Sequence, residues 1–209
     1  MFNFNLHEMA LMLPAIILGL TFHEYAHGKV ADLLGDHTAR NLGRLTLNPI
    51  SHIDPVGFIM LIIAKFGWAK PIPVNPYNLR GDKRQAMLLV SLAGPATNII
   101  LAVISAVVLG AIYNLHLPYA NEMISYMIVI NVILGIFNLI PIPPLDGSKI
   151  LAGLLPGRQD WLYSLEAYGA ILLILLVFSG AIGFIFRIFA QPLINQLLLL
   201  ANSVAHLIR

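Results

Sequence analysis

Apolar residues in this chain gather into long uninterrupted runs, not into the stripes of soluble helices or the alternation of half-buried strands. About 20 such residues span the hydrocarbon core as a helix. The first run extends from about His7 to Gly28, and three more follow at Ala86 to Ile112, Met123 to about Ile140 and Tyr168 to Phe186. A last one, Ile188 to Leu207, carries Gln191, Pro192, Asn195, Gln196 and Asn202, so the pattern leaves open whether it spans or lies along the interface. Between the first two long runs the chain is polar. "ARNLGRLTLNPISHIDP" alternates in places and is broken by Gly and Pro, which predicts short strands or turns. "VGFIMLIIAKFGWA" is too short to cross and predicts a re-entrant or interfacial element. The Pro-rich, basic "KPIPVNPYNLRGDKR" belongs in water or headgroups. The expected fold is an all-α polytopic membrane protein of about five to six transmembrane helices. It includes a short strand-containing loop region and a re-entrant element after the first helix.

The third long run ends in "FNLIPIPPLDG", where Pro141, Pro143 and Pro144 cannot continue a regular helix. Unwound backbone survives at membrane depth only where protein buries it or a wet cavity borders it, so the break predicts a site.

Composition strengthens the membrane reading: 58% of the 209 residues are hydrophobic and 11% charged, with a mean hydropathy of +0.82. Soluble domains are roughly a quarter charged. The pI near 9.0 reflects a net charge of only +2, too small a surplus to point to nucleic acid. The basic residues instead mark topology. Lys29, Arg40, Arg44, Lys65, Lys70, Arg80, Lys83 and Arg84 fall between the first and second long runs, and Lys149 and Arg158 follow the third. The connection from Tyr113 to Glu122 has none. The positive-inside rule places the amino terminus outside and the Lys29 to Arg84 region in the cytosol, with the end of the first run facing that side. That first run lacks the basic start and small-residue cleavage site of a signal peptide and is expected to remain. The chain shows no internal repeat and no low-complexity tract.

Candidate chemistry sits at the end of the first run, in "HEYAH". Residues four apart share a helix face, so His23 and His27 can aim two imidazoles at one point, and Zn–N bonds of about 2.0–2.1 Å suit that arrangement. Glu24 lies beside the pair, where it can take a proton from the attacking water. A five-residue pattern arises by chance in many chains, but three ionisable residues together inside a span are rare and usually functional. A catalytic zinc site takes three protein ligands and an open position. With no cysteine in the chain, the third must be His, Asp or Glu. Asp146 in "PPLDG" is the best placed, and its charge with that of Glu24 balances Zn²⁺ to zero, as a low-dielectric setting favours. Its alternative role is a turn residue or helix N-cap. Asn98 and Asn138 are buried amides that either contact substrate or a developing oxyanion, or link helices. Gly94 and Pro95 predict a close helix approach or a kink. His52 is a possible gate or second partner of the site, against the ordinary solvated role of a loop histidine. His7 and Glu8 imitate the start of the motif, but Leu11 stands in place of a second histidine. His37 lies in the cytosolic loop, and His116 and His206 are peripheral.

"HEYAH", "SLAGPATN" and "FNLIPIPPLDG", in this order and together with "GRLTLNPISHIDPVG", resemble the site-2 protease family of intramembrane metalloproteases, peptidase family M50, in its short minimal-core form. The resemblance covers about Leu6 to Leu155. It implies one zinc per chain held by His23, His27 and Asp146, Glu24 as catalytic base, and transmembrane protein substrates cut in or near their membrane segments. It also implies one intramembrane metalloprotease domain over residues 1–209 of a multi-pass cell-membrane protein, with the active site toward the cytosol. The family's aspartate motif is often written Asn-Pro-Asp-Gly. Here Pro-Leu-Asp-Gly stands in its place, and Asn138 lies eight positions before Asp146. The strand-like pieces at Gly43 to Asn48 and Pro71 to Pro76 could pair with an extended substrate edge to edge. Rival readings are a zinc hydrolase of lipids or small peptides, a metal-handling or transport protein using the same His/Asp cluster, and an inactive scaffold. Glu24 separates hydrolysis from transport, because only hydrolysis requires a general base. The oligomeric state is not legible.

Overall fold

The first three long apolar runs become long helices, seen here in a computed structural model that describes residues 6–64, 67–115, 117–157 and 165–208. Lys65, Arg158 and His116 lie outside the described residues. Helix α1 (Leu6–Leu33) has 28 residues, a rise of about 42 Å against the roughly 30 Å of hydrocarbon. A short α2 (Thr38–Asn41) and α3 (Pro55–Ala64) follow. Next come α4 (Lys83–Ile112), α5 (Pro118–Asn138) and α6 (Asp146–Leu154). The chain ends in α7 (Gly169–Phe178), α8 (Ala181–Ile185), one wider π turn (Phe186–Ala190) and α9 (Gln191–Leu207).

Among the described residues four helical stretches are long and apolar enough to cross a membrane: His7–Leu33, Lys83–Leu115, Pro118–Asn138 and Ala181–Leu207. By this measure the chain is a multi-pass membrane protein. The expectation of a span over Tyr168 to Phe186 is corrected. Gly180 takes φ 78°, in the left-handed region open to glycine, and stops α7 after 10 residues. The long stretch starts beyond it and runs through the π turn to Leu207, absorbing the polar residues that had left the last segment open.

Helix starts also move earlier than hydropathy indicates, because capping decides them. Asp82 Oδ1 accepts from the Arg84 amide at 2.9 Å, so α4 begins at the charged Lys83 and not at Ala86. Pro118, with no amide hydrogen to leave unpaired, opens α5 ahead of its apolar part.

No strand forms among the described residues; one isolated antiparallel bridge joins Ile53 and Ala69. The expected strand at Gly43 to Asn48 is a set of turns. Arg44 and Leu45 both donate to the Ala39 carbonyl, Thr46 Oγ1 accepts from the Asn48 amide, and Asn48 Oδ1 caps the 3-10 turn Pro49–His52. Local acceptors thus use up the amides that a ladder would need.

The described residues group into two units. One draws on Met1–Gly19, Ala96–Phe137 and Ile174–Arg209, and its core sets Ala102, Ala106 and Ala201 against Ile128, Val132 and Leu197. Small residues there let helix backbones approach closely. In the same unit Asn98 donates to the Gly19 carbonyl at 3.1 Å and to Asn131 Oδ1 at 2.9 Å. The other unit, Leu20–Pro95 and Asn138–Leu173, has its own small core of Ala31, Leu79, Ala86 and Val90 and contains the chemistry.

Candidate metal centre

His23 and His27 lie one turn apart on the α1 face that packs against the Val90 to Gly94 stretch of α4. Their Nε2 atoms are 3.0 Å from each other. Asp146 is the first residue of α6, delivered by the proline-broken turn. Three bonds shape that turn: Ile142 N to Ile140 O at 2.8 Å, Leu145 N to Ile142 O at 3.0 Å, and Ser148 Oγ to Leu145 O at 2.7 Å. Gly147 lets the helix start fold back on the Leu139 and Ile140 carbonyls, which a Cβ would overlap. As a result Asp146 Oδ2 stands 3.1 Å from each imidazole Nε2. Both histidines are buried and Asp146 is half-buried.

The donor set fits zinc. Tetrahedral bonds of about 2.0–2.1 Å place neighbouring ligand atoms roughly 3.3 Å apart, close to the 3.0–3.1 Å triangle observed. His27 Nδ1 donates to the Val90 carbonyl at 2.7 Å, which fixes the tautomer that leaves Nε2 as a lone pair facing the cluster. A buried lone pair and a carboxylate oxygen this close repel unless a cation or a proton lies among them. Gly94 completes the fit: a Cβ there would sit 2.6 Å from His23 Nε2 and overlap the His27 ring. The close approach expected at Gly94 is therefore an approach to the two imidazoles.

Glu24 is half-buried, and its Oε2 accepts from the Ile72 amide at 2.7 Å. The segment carrying Ile72 is itself clamped. Arg44 donates to the Lys70 and Pro71 carbonyls, both at 3.1 Å, and Lys70 N donates to the His52 carbonyl at 2.9 Å. His52 is 2% exposed, so it is not a solvated loop histidine; its Nε2 donates to the Thr46 carbonyl at 2.7 Å. It sits in the loop framework that holds the Glu24 anchor and does not join the three ligand atoms.

Asn138 ends α5 and is half-buried in the same unit as the trio. Asn98 belongs to the other unit, fully buried, with both amide hydrogens given to Gly19 and Asn131. Sequence reading missed the Val90 carbonyl and the Ile72 amide, which are backbone groups without a side-chain signature. It also missed Arg44 as the clamp of the Ile72 segment; the polar break after the first run was the available signal.

The family model "Peptidase family M50" matches residues 116–182, the stretch that holds the proline-broken turn and Asp146. The chain is 42% identical over 181 residues to "Putative zinc metalloprotease YwhC" of Bacillus subtilis, covering 83% of this chain and 82% of that protein. It is 30% identical over 177 residues to "Putative zinc metalloprotease Rip2" of Mycolicibacterium smegmatis, covering 83% and 68%. A Methanocaldococcus jannaschii protein, "Putative zinc metalloprotease MJ0611", is 29% identical over 154 residues, 71% and 73% of the two chains. No solved structure matches. The chain belongs to peptidase family M50, the site-2 protease family, and is a zinc metalloprotease.

Proposed function

We propose that this zinc metalloprotease is an intramembrane endopeptidase with one zinc per chain held by His23, His27 and Asp146 and with Glu24 as general base. Its substrates are partner membrane proteins, cut in or near their transmembrane segments. The observation that carries the reading is the triangle of ligand atoms, two from a helix apolar enough to cross a membrane and one from a turn 119 residues further along the chain. Zinc held there would supply a Lewis acid for the scissile carbonyl and the attacking water. Glu24 takes the proton of that water and returns it to the leaving amine. The Ile72 amide fixes Oε2 of Glu24 and so orients the carboxylate, which leaves the other oxygen for the proton. His27 keeps its metal-facing nitrogen unprotonated through Val90. Proton transfer of this kind contributes about 10²–10⁴-fold.

The whole chain forms one intramembrane protease domain in the cell membrane, with its catalytic groups toward the cytosol by the distribution of basic residues. The test compares wild type with Glu24→Gln, both reconstituted in liposomes with a single-span substrate. Zinc content should be equal and cleavage should fall by about 10²–10⁴-fold. Equal cleavage with zinc retained would remove Glu24 from the mechanism.

A further inference from the structure

The Ala181–Leu207 stretch carries a single charge, Arg187, on its π turn. Arg187 forms no ion pair among the described residues. It borders an open groove of about 330 Å³ lined by Val129 and Ile133 of α5 and Phe186 and Ile194 of the last stretch, with Gln191 beside it. Gly183 also lines it, and a side chain there would have open space to enter. π turns inside apolar helices recur at functional sites. An ionisable residue in a membrane helix calls for a named partner.

Depth identifies the partner. Asn114, just past α4, donates to the Ala205 carbonyl at 3.2 Å. Arg187 lies 18 residues before Ala205, about 27 Å along the helix, and so toward the opposite face. Val129 and Ile133 agree, lying in the later half of α5, away from the basic-free connection that precedes it. That face is the cytosolic one under the positive-inside rule. A guanidinium near a membrane face reaches the level of lipid phosphates, and basic pockets between transmembrane helices on the cytoplasmic side bind anionic headgroups.

We propose that this groove is a binding site for an anionic phospholipid of the cytosolic leaflet, its phosphate on Arg187 and Gln191 and its first acyl carbons against the apolar wall. The proposal does not rest on the assignment of the zinc ligands.

Native mass spectrometry of the full-length protein, titrated with phosphatidylglycerol, phosphatidylcholine or inorganic phosphate, tests it. Wild type should retain phosphatidylglycerol in preference to phosphatidylcholine. Arg187→Gln should weaken phosphatidylglycerol by roughly tenfold or more, as the loss of one charge-assisted hydrogen bond implies. Arg187→Lys should keep the preference. Gly183→Leu, which fills the groove and leaves the charge, should also weaken binding and carries the test if Arg187→Gln does not fold. Retention of phosphatidylglycerol unchanged in the folded variants would overturn the proposal. So would equal retention of the two lipids, or binding of inorganic phosphate at the same strength.

Discussion

Gly94 sets the tightest constraint on the metal centre, because its missing side chain is the space in which two imidazole nitrogens meet. A methyl group 2.6 Å from His23 Nε2 must push the ring off the triangle. Gly94→Ala is therefore expected to lose zinc while overpacking costs about 1–3 kcal/mol, and metal analysis beside a thermal melt would show both. Asn98 makes the opposite prediction. Its amide hydrogens link α4 to α1 and α5 within one unit, so Asn98→Ala should lower stability by roughly 0.6–1.7 kcal/mol and leave the turnover of folded protein within a few-fold. A drop of about 10²–10³ in kcat at unchanged stability would instead mark it as an oxyanion donor. The two histidines and Glu24 were legible because a motif at i and i+4 is local. The Val90 carbonyl and the Ile72 amide were not, since any residue type supplies them.

The connection after α1 is organised by a buried carboxylate. Asp36 accepts from the Thr38 amide and hydroxyl, from Asn75 N at 2.6 Å and from Asn78 Nδ2 at 3.1 Å, tying the Pro76–Asn78 turn to the end of α1. Burial works to raise its carboxyl, but the donors from Thr38, Asn75 and Asn78 outweigh it and hold it below the ordinary value. A lowered folded pKa stabilises above the unfolded value of about 3.9 and is lost as pH falls through the folded one. Asp36→Asn should then reduce neutral-pH stability by about 1–3 kcal/mol and flatten the acid limb of a melting-temperature profile. At this scale the sequence showed a polar loop but not its form. Alternation at "GRLTLN" suggested a strand, whereas Ala39, Thr46 and Asn48 offered nearer acceptors. The Gly180 stop was hidden inside a continuous apolar run for the same reason: hydropathy does not register a positive φ.

For the whole molecule, the absence of cysteine makes topology directly readable. Tyr77 and Tyr119 are both exposed, one in the basic loop and one at the start of α5. Tyr77→Cys should react with a membrane-impermeant maleimide only from the cytosolic side and Tyr119→Cys only from the other; the reverse pattern would refute the proposed orientation, and labelling of both from one side would refute the topology. The general architecture was legible because a bilayer demands long apolar helices. Asp146, the third ligand proposed, was harder to read, since its place depends on how the chain turns at Pro141 to Pro144. Zinc content is accordingly the most direct test. Purified wild type should hold one zinc per chain, and Asp146→Asn, which keeps the shape and removes the charge, should lose most of it at equal folded content. Full zinc occupancy in folded Asp146→Asn would contradict the account.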